Sequence, residues 1–129
     1  MAKEGSIRDL TRLPNMDRIM TIMARRKPYT LIYARGVTKH LKSIDAKYDG
    51  LIREKLEEQL LFEPSVETRN RKPLRQPAPF AAQWEIRFGP NNRLRVLYDI
   101  DEEQHTVQIV AIGEKEGNCL FVGGEEVGL

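Results

Sequence analysis

The sequence predicts an α+β domain in which two helices cover the apolar face of a β-hairpin, with the element order β-α-α-β-β-β. Three observations support this fold class. Residues 84–88 and 94–100 alternate apolar and polar side chains around the turn sequence GPNN, as in an antiparallel hairpin. Residues 37–60 carry apolar side chains at helical spacing. The 129 residues, 40% hydrophobic and 31% charged, suit one globular domain and argue against a disordered chain.

The first 28 residues are predicted to form an N-terminal extension before a domain at 29–129. The segment NMDRIMTIMARRK repeats isoleucine and methionine at helical spacing, which favours a short amphipathic helix. A second interpretation is that translation starts at Met20 or Met23 and that the upstream residues are poorly ordered. Acidic residues disfavour an organelle-targeting peptide, and the segment lacks the apolar core of a secretory signal.

The remaining elements follow in order from residue 29. The segment YTLIYA (29–34) is β-branched and aromatic, which predicts a buried strand. Apolar spacing then predicts a short helix after Gly36 and a longer helix that ends before Pro64. Residues 65–83 contain three prolines and four basic residues and are predicted to form a cationic loop. The segment HTVQIVAIG (105–113) is apolar on both faces, which predicts a central strand.

Charge is distributed unevenly along the chain. Residues 1–68 carry 13 basic and 10 acidic groups, a net +3. Residues 69–98 carry seven basic groups and one acidic group, a net +6, and residues 99–129 carry one basic and eight acidic groups, a net −7. We therefore expect a polar molecule whose basic side attracts phosphates.

The hairpin gathers arginine on the face opposite its apolar residues. Two registers keep the apolar residues together: in one, Arg87 faces Arg95; in the other, Arg87 faces Arg93 and Glu85 faces Arg95. Like charges directly opposite destabilise a sheet by up to about 1 kcal/mol. A bound anion would offset this cost, and arginine suits bidentate phosphate contacts. Alternatively, the arginines splay into solvent or are neutralised by Glu85 or Asp99.

The sequence also excludes several kinds of site. Cys119 is the single cysteine, so no internal disulfide can form. His40 and His105 are far apart and give no metal-ligand spacing, and no metal or cofactor is predicted. His40 is predicted to be a surface residue on a charged helix. No apolar run approaches the roughly 20 residues of a membrane span, so we expect a cytoplasmic protein without a membrane partner.

The order β-α-α-β-β-β and the segments RKPL, WEIR, RVLYDID and VQIVAIGEKEGNCLFVGGEE resemble the RelE/ParE superfamily of bacterial type II toxins over residues 29–129. The resemblance implies a small antiparallel sheet with a helical pair on one face and a concave basic surface on the other. It also implies a role in plasmid stabilization and a cognate antitoxin protein as partner. A homodimer is left open.

RelE-like members cut messenger RNA in the ribosomal A site and so inhibit translation. The messenger's 2′-hydroxyl attacks the adjacent phosphate, so the enzyme must stabilise a dianionic phosphorane and protonate the leaving oxygen, which needs no metal. By resemblance, Arg87 is a basic residue of the second strand and Arg95 contacts the phosphate. Lys115 replaces an arginine proposed as general acid, and Glu85 stands where some members have a lysine. These four residues are the catalytic candidates.

The candidates for RNA binding come from the cationic loop, the hairpin and the tail: Lys72, Arg71, Arg75, Arg93 and Phe121. Phe121 stands where the nucleases carry a tyrosine beneath the target base; it keeps the stacking surface without the hydroxyl. The resemblance leaves two alternatives to an endoribonuclease. One is a ParE-like binding module that inhibits DNA gyrase and is not an enzyme. The other is a non-toxic relative that keeps antitoxin binding.

Overall fold

The computed structural model of the protein describes residues 27–128. Its helices and strands are, in chain order, β1 Thr30–Tyr33, α1 Val37–Lys42, α2 Asp49–Leu60, β2 Arg71–Pro73, β3 Trp84–Phe88, β4 Leu94–Asp101, β5 Thr106–Glu116, β6 Cys119–Val122 and β7 Glu125–Val127. The predicted N-terminal extension falls almost entirely outside the described residues.

All seven strands belong to one sheet, in the order β2-β3-β4-β5-β6-β7, with β1 paired to β5. Each neighbouring pair is antiparallel except β1 and β5, which run parallel. β1 and β6 lie along the same edge of β5, β1 opposite residues 106–109 and β6 opposite 113–116. The α+β class is confirmed, and the short strands β2, β6 and β7 are added to the predicted order.

The two helices pack on one face of the sheet and enclose the main core. Ile52, Leu56 and Leu60 of α2 recur every four residues and are at most 4% exposed. The sheet contributes alternate residues of β3 and β4 together with β5: Ile86, Phe88, Leu94, Val96, Tyr98, Val107, Ile109 and Ile112. The Tyr98 hydroxyl donates to the Pro64 carbonyl at 2.7 Å, and burial raises the pKa of this phenol. This face, the helix face, follows the predicted alternation.

A β-bulge in β5 changes which residues reach each face. Leu97 lies opposite Ala111, whereas the next residue, Tyr98, lies opposite Ile109, so Val110 is an extra residue. Before the bulge, odd-numbered residues of β5 point to the helix face. After it, they point to the opposite face, where Lys115 shares the side of Arg95.

The opposite face, the basic face, also contains a small apolar cluster. Its buried members are Ala82, Leu97, Ala111, Leu120 and Val122, and Leu74 packs against them. Residues 74–82, here the covering loop, lie over this cluster. The Leu74 amide donates to the Gln83 carbonyl and the Gln76 side chain donates to the Ala82 carbonyl, both at 2.8 Å. These hydrogen bonds hold the loop closed. The basic face is therefore partly core.

Within residues 27–128, no helix has the length and apolar character needed to cross a membrane.

Candidate nucleic-acid interface

The β3–β4 turn selects the first of the two predicted registers, in which Arg87 lies opposite Arg95. Gly89 has φ +83°, and Asn91 and Asn92 have φ +55° and +54°. Glycine and asparagine adopt this left-handed region at lower cost than other residues. The turn sequence therefore fixes the pairing that brings two guanidinium groups together on the basic face.

Glu85 lies between these two arginines and pairs with both. One carboxylate oxygen accepts from Arg87 at 3.2 Å and the other from Arg95 at 3.4 Å. Arg95 also donates through Nε to the Asn92 carbonyl at 2.9 Å. The side chains of Glu85 and Arg95 are only 5% and 8% exposed, whereas that of Arg87 is 30% exposed. The protein itself thus supplies the anion that offsets the like charges, as the alternative interpretation expected.

A cleft of about 300 Å³, here the basic cleft, lies between the covering loop and the sheet. Leu74, Pro77, Ala78 and Pro79 form its loop wall, and its charged lining is Arg75, Glu85, Arg87, Arg95 and Lys115. The structure therefore brings all four catalytic candidates together and adds Arg75 to them. Four cations against one carboxylate give this small cleft a net positive charge, suited to a phosphate.

Lys72 and Arg71 point to opposite faces because they are neighbours on β2. Lys72 lies opposite Glu85 and is exposed on the basic face, outside the lining of the basic cleft. Arg71 lies opposite Ile86 and is 4% exposed on the helix face. Its guanidinium donates to the carbonyls of Val66 and Gln59, so it ties β2 to the end of α2. This placement corrects the expectation that Arg71 contributes to an RNA-binding surface.

Arg93 forms ion pairs at the turn end of the β3–β4 hairpin. Its Nε donates to Glu114 at 2.8 Å and its NH2 donates to Glu116 at 3.4 Å. The hydrogen bond to Glu114 raises the pKa of Arg93, with a further contribution from the charge of Glu116. Two carboxylates thus accompany this guanidinium, in contrast to the single carboxylate shared by Arg87 and Arg95.

Phe121 lies on the helix face, on the opposite side of the sheet from Arg95 and Lys115. It pairs with Glu114 in the β5–β6 register, while Leu120 pairs with Lys115 on the basic face. Because paired residues point to the same side of a sheet, the predicted stacking side chain and Arg95 lie on opposite sides. The expectation that Phe121 supports a base at this cleft is corrected by the register.

A second cleft, which the sequence did not indicate, lies between the β3–β4 and β5–β6 turns. This end cleft has a volume of about 380 Å³. It is lined by Tyr48, Pro90, Asn91, Asn92, Arg93, Arg95, Lys115, Glu116 and Gly117. Arg95 and Lys115 line both clefts, so the two are adjacent. Tyr48 falls within residues 37–60, for which the sequence indicated only apolar side chains at helical spacing, so its place in a cleft was not predicted.

His40 is buried, at 8% exposed, which corrects its predicted position on the surface. It fills the gap between β1 and β6 along the edge of β5, where its Nδ1 accepts from the Ile112 amide at 3.3 Å. An amide can only donate, so the neutral ring carries its proton on Nε2. Burial is the main cause that lowers the pKa of His40, and the charge of Lys39 lowers it further.

Other reactive groups are unsuited to catalysis at this site. A hydrogen bond to Glu126, followed by burial, raises the pKa of the Cys119 thiol, which keeps it protonated and a poor nucleophile. Within the described part of the chain, no three histidine, cysteine or acidic side chains are grouped to hold a metal ion.

Comparison with known proteins places these observations in a family. The protein-family model described as the ParE toxin of type II toxin-antitoxin systems (parDE) matches residues 31–118. The matched range includes Lys115 but not Phe121. Among solved structures, the chain is similar to the toxin–antitoxin complex RelBE2 from Mycobacterium tuberculosis, with 28% sequence identity and a TM-score of 0.56. The match covers 68% of this chain and 92% of that one. Comparison with curated proteins finds no match.

Proposed function

The chain belongs to the ParE toxin family of type II toxin–antitoxin systems, and we propose that this toxin cuts messenger RNA in the ribosomal A site without a metal. The observation that carries the proposal is the basic cleft, where Arg75, Arg87, Arg95 and Lys115 surround a space of about 300 Å³. Fixed cations that line a cleft stabilise the charge that develops on a phosphorane held there.

The exposure of each side chain in the cleft suggests its role. Arg87 is the more exposed of the opposed arginines and can move onto a phosphate, whereas Arg95 is held by Glu85 and Asn92. Lys115 also lines the cleft, and we assign it to protonating the leaving 5′-oxygen. Both oxygens of Glu85 accept from guanidinium groups. We therefore assign Glu85 to positioning the arginines, and the proton of the attacking 2′-hydroxyl passes to solvent water while Lys115 supplies the proton of the leaving 5′-oxygen.

The test is messenger cleavage on ribosomes by arginine variants. Replacing Arg87 with alanine removes a cation aimed at the phosphate, and we expect cleavage to slow by about 100-fold. Arg69→Ala is the matched control, because Arg69 is exposed outside both clefts. Its cleavage rate should equal that of the unaltered toxin. Equal rates for Arg87→Ala and Arg69→Ala would refute the catalytic use of the cleft.

A second candidate function, inhibition of DNA gyrase without cleavage, is favoured by two observations. Glu85 neutralises much of the charge of Arg87 and Arg95, and Phe121 lies on the other face of the sheet. Induced expression separates the two functions: abrupt loss of translation indicates messenger cleavage, whereas DNA damage signalling indicates gyrase. Unimpaired growth would indicate a non-toxic relative that keeps partner binding.

The partner proposed for this toxin is a cognate antitoxin, since the similar solved structure is a toxin–antitoxin complex. We expect acidic residues of the antitoxin to cover the basic cleft and meet Arg75 and Arg87. Replacing these two arginines with glutamate should speed dissociation of the complex, measured by surface plasmon resonance. A complex that leaves the basic cleft open, with unchanged dissociation, would contradict charge masking.

A further inference from the structure

We infer that the end cleft is a second nucleotide site, in which the ring of Tyr48 stacks on an RNA base next to the phosphate held in the basic cleft. This inference rests on the proposed action on messenger RNA. It assigns a binding role to Tyr48, for which the sequence analysis predicted no function.

The two clefts share a wall, which makes them suitable for one continuous strand. Arg95 and Lys115 line both spaces, and the volumes are about 300 Å³ for the basic cleft and 380 Å³ for the end cleft. An RNA strand that enters the basic cleft therefore reaches the end cleft after passing these two cations. No separate binding event is needed for the second nucleotide.

The two clefts differ in the positive charge that is left for a ligand, which favours a phosphate in the basic cleft and a base in the end cleft. In the basic cleft, one carboxylate, Glu85, faces four cations. In the end cleft, Arg93 is engaged by both Glu114 and Glu116. The positive charge that remains for a ligand is therefore greater in the basic cleft, which suits a phosphate, while the end cleft suits a neutral base.

Tyr48 has the chemistry and position required for stacking. It is the only aromatic side chain among the described residues that line either cleft. Its ring is partly exposed at the start of α2, and Lys47 Nζ lies 5.2 Å from the ring centroid, adding a cation beside it. Single-stranded RNA is bound through stacking of bases on aromatic rings together with cations that follow the backbone.

The edges of the base would meet polar groups from the β3–β4 turn. Asn91 and Asn92 are exposed and line the end cleft, and each amide offers both donors and an acceptor. Because Phe121 lies on the helix face, an aromatic side chain beside Arg95 and Lys115 has to come from another element. Tyr48 meets that requirement.

Site-specific crosslinking on ribosomes tests the inference. The probe is a short messenger with 4-thiouridine in the A-site codon and the attacking 2′-hydroxyl replaced by hydrogen, so that cleavage is blocked. Trypsin releases Tyr48 in the peptide of residues 48–53. We expect the crosslink to map to Tyr48 by fragmentation of this peptide. Cleavage of an unmodified messenger is measured in parallel.

Three variants complete the test. Tyr48→Ala should slow cleavage about 10-fold through a higher KM, as expected for loss of one stacked base, and Tyr48→Phe should restore it. Tyr33→Ala, an exposed tyrosine outside both clefts, should leave cleavage unchanged. Thermal unfolding of each variant checks that it is folded, and the crosslink needs no variant at all.

The possible outcomes separate this inference from the proposed function. Cleavage that depends on Arg87, with a crosslink elsewhere and Tyr48→Ala equal to the unaltered toxin, would overturn the second nucleotide site alone. Absence of both cleavage and crosslink would overturn the proposed function and, with it, this inference. A crosslink at Tyr48 together with the Ala and Phe results would support both.

Discussion

The helix face and the basic face of the sheet bury side chains of different kinds. On the helix face, apolar residues from β3, β4, β5 and α2 form one large cluster. On the basic face, a smaller cluster under the covering loop adjoins Glu85 and Arg95, which are 4% and 7% exposed. Burial on the first face depends on apolar area, whereas burial on the second also depends on pairing each charge.

The two faces of one sheet are therefore stabilised by different kinds of interaction. The helix face can tolerate an exchange between apolar residues of similar volume, because dispersion and hydrophobic contacts have little directionality. The basic face cannot exchange Glu85 so freely, because both oxygens accept from named donors. The same paired charges give the cleft the fixed cations that a phosphate requires.

The largest expected effect is on the helix face. Leu56 is fully buried between α2 and the sheet, so Leu56→Ala should lower the free energy of unfolding by about 4 kcal/mol. Leu97, 1% exposed in the smaller cluster, is the matched position on the basic face. Leu97→Ala should cost about 2 kcal/mol, because the covering loop can settle into the cavity. Urea denaturation followed by circular dichroism measures both; equal losses would contradict the contrast between the two faces.

An intermediate effect is expected at Glu85. Glu85→Gln keeps the shape but leaves the guanidinium groups of Arg87 and Arg95 facing each other, which should cost about 2 kcal/mol of stability. Added phosphate should raise the melting temperature of this variant more than that of the unaltered protein, because the anion replaces the carboxylate.

The control for Glu85 is an ion pair in solvent. Lys55 and Glu58 pair at 3.1 Å on α2, and the Glu58 side chain is 55% exposed. Glu58→Gln should change stability by less than about 0.5 kcal/mol. Phosphate should not affect it beyond the change seen with chloride at equal ionic strength. If Glu85→Gln behaved in the same way, charge pairing would not hold the basic face together.

The smallest effect is expected at His40, which lies where the two faces meet and contacts Phe80 of the covering loop edge-on. Its pKa in the folded protein is below that of the unfolded chain, so the unfolded state takes up a proton first as pH falls below about 6.5. The contribution of neutral His40 to the free energy of unfolding is therefore fully present above that pH. It declines as the pH decreases towards the pKa of His40 in the folded protein. Protonated Nδ1 cannot accept from Ile112, and we expect a loss of about 1 kcal/mol.

Chemical denaturation at pH 7.5, 6.5 and 5.5 measures this dependence. His40→Gln keeps a polar group of similar reach that does not titrate, so the difference between this variant and the unaltered protein isolates the histidine. A difference that stays constant across the three pH values would show that the pKa of His40 is the same in the folded and unfolded states, contrary to this prediction.

Much of the domain was predictable from local patterns. Alternation in the hairpin and the spacing along α2 identified the helix face, and the turn sequence restricted the hairpin to two registers. These signals succeed because strand and helix periodicity decide which residues can reach a common side. The positive charge of residues 65–83 was also predicted. The folding of the covering loop over the apolar cluster was not predicted, because that cluster forms only from residues distant in sequence.

The candidate site was predictable in its residue types and less so in its geometry. Arg87, Arg95 and Glu85 were placed on one face by parity alone, and the structure adds that Glu85 bridges the arginines. Arg71 and Phe121 were misplaced. Arg71 has the same charge as its basic neighbours and Phe121 lies in an apolar segment, so the local sequence did not indicate where either side chain points. Strand alternation in β2 and the β5–β6 register direct both side chains to the helix face.

Local periodicity and composition are sufficient to predict the α+β class, the apolar side of the hairpin and the positive charge of residues 69–98. Which cations share a cleft depends on how the strands pair and on where the loops fold. Lys115 reaches the side of Arg95 because the bulge at Val110 inverts the alternation of β5. Tyr48 and His40 likewise acquire their surroundings from strands far along the chain, which no local pattern specifies.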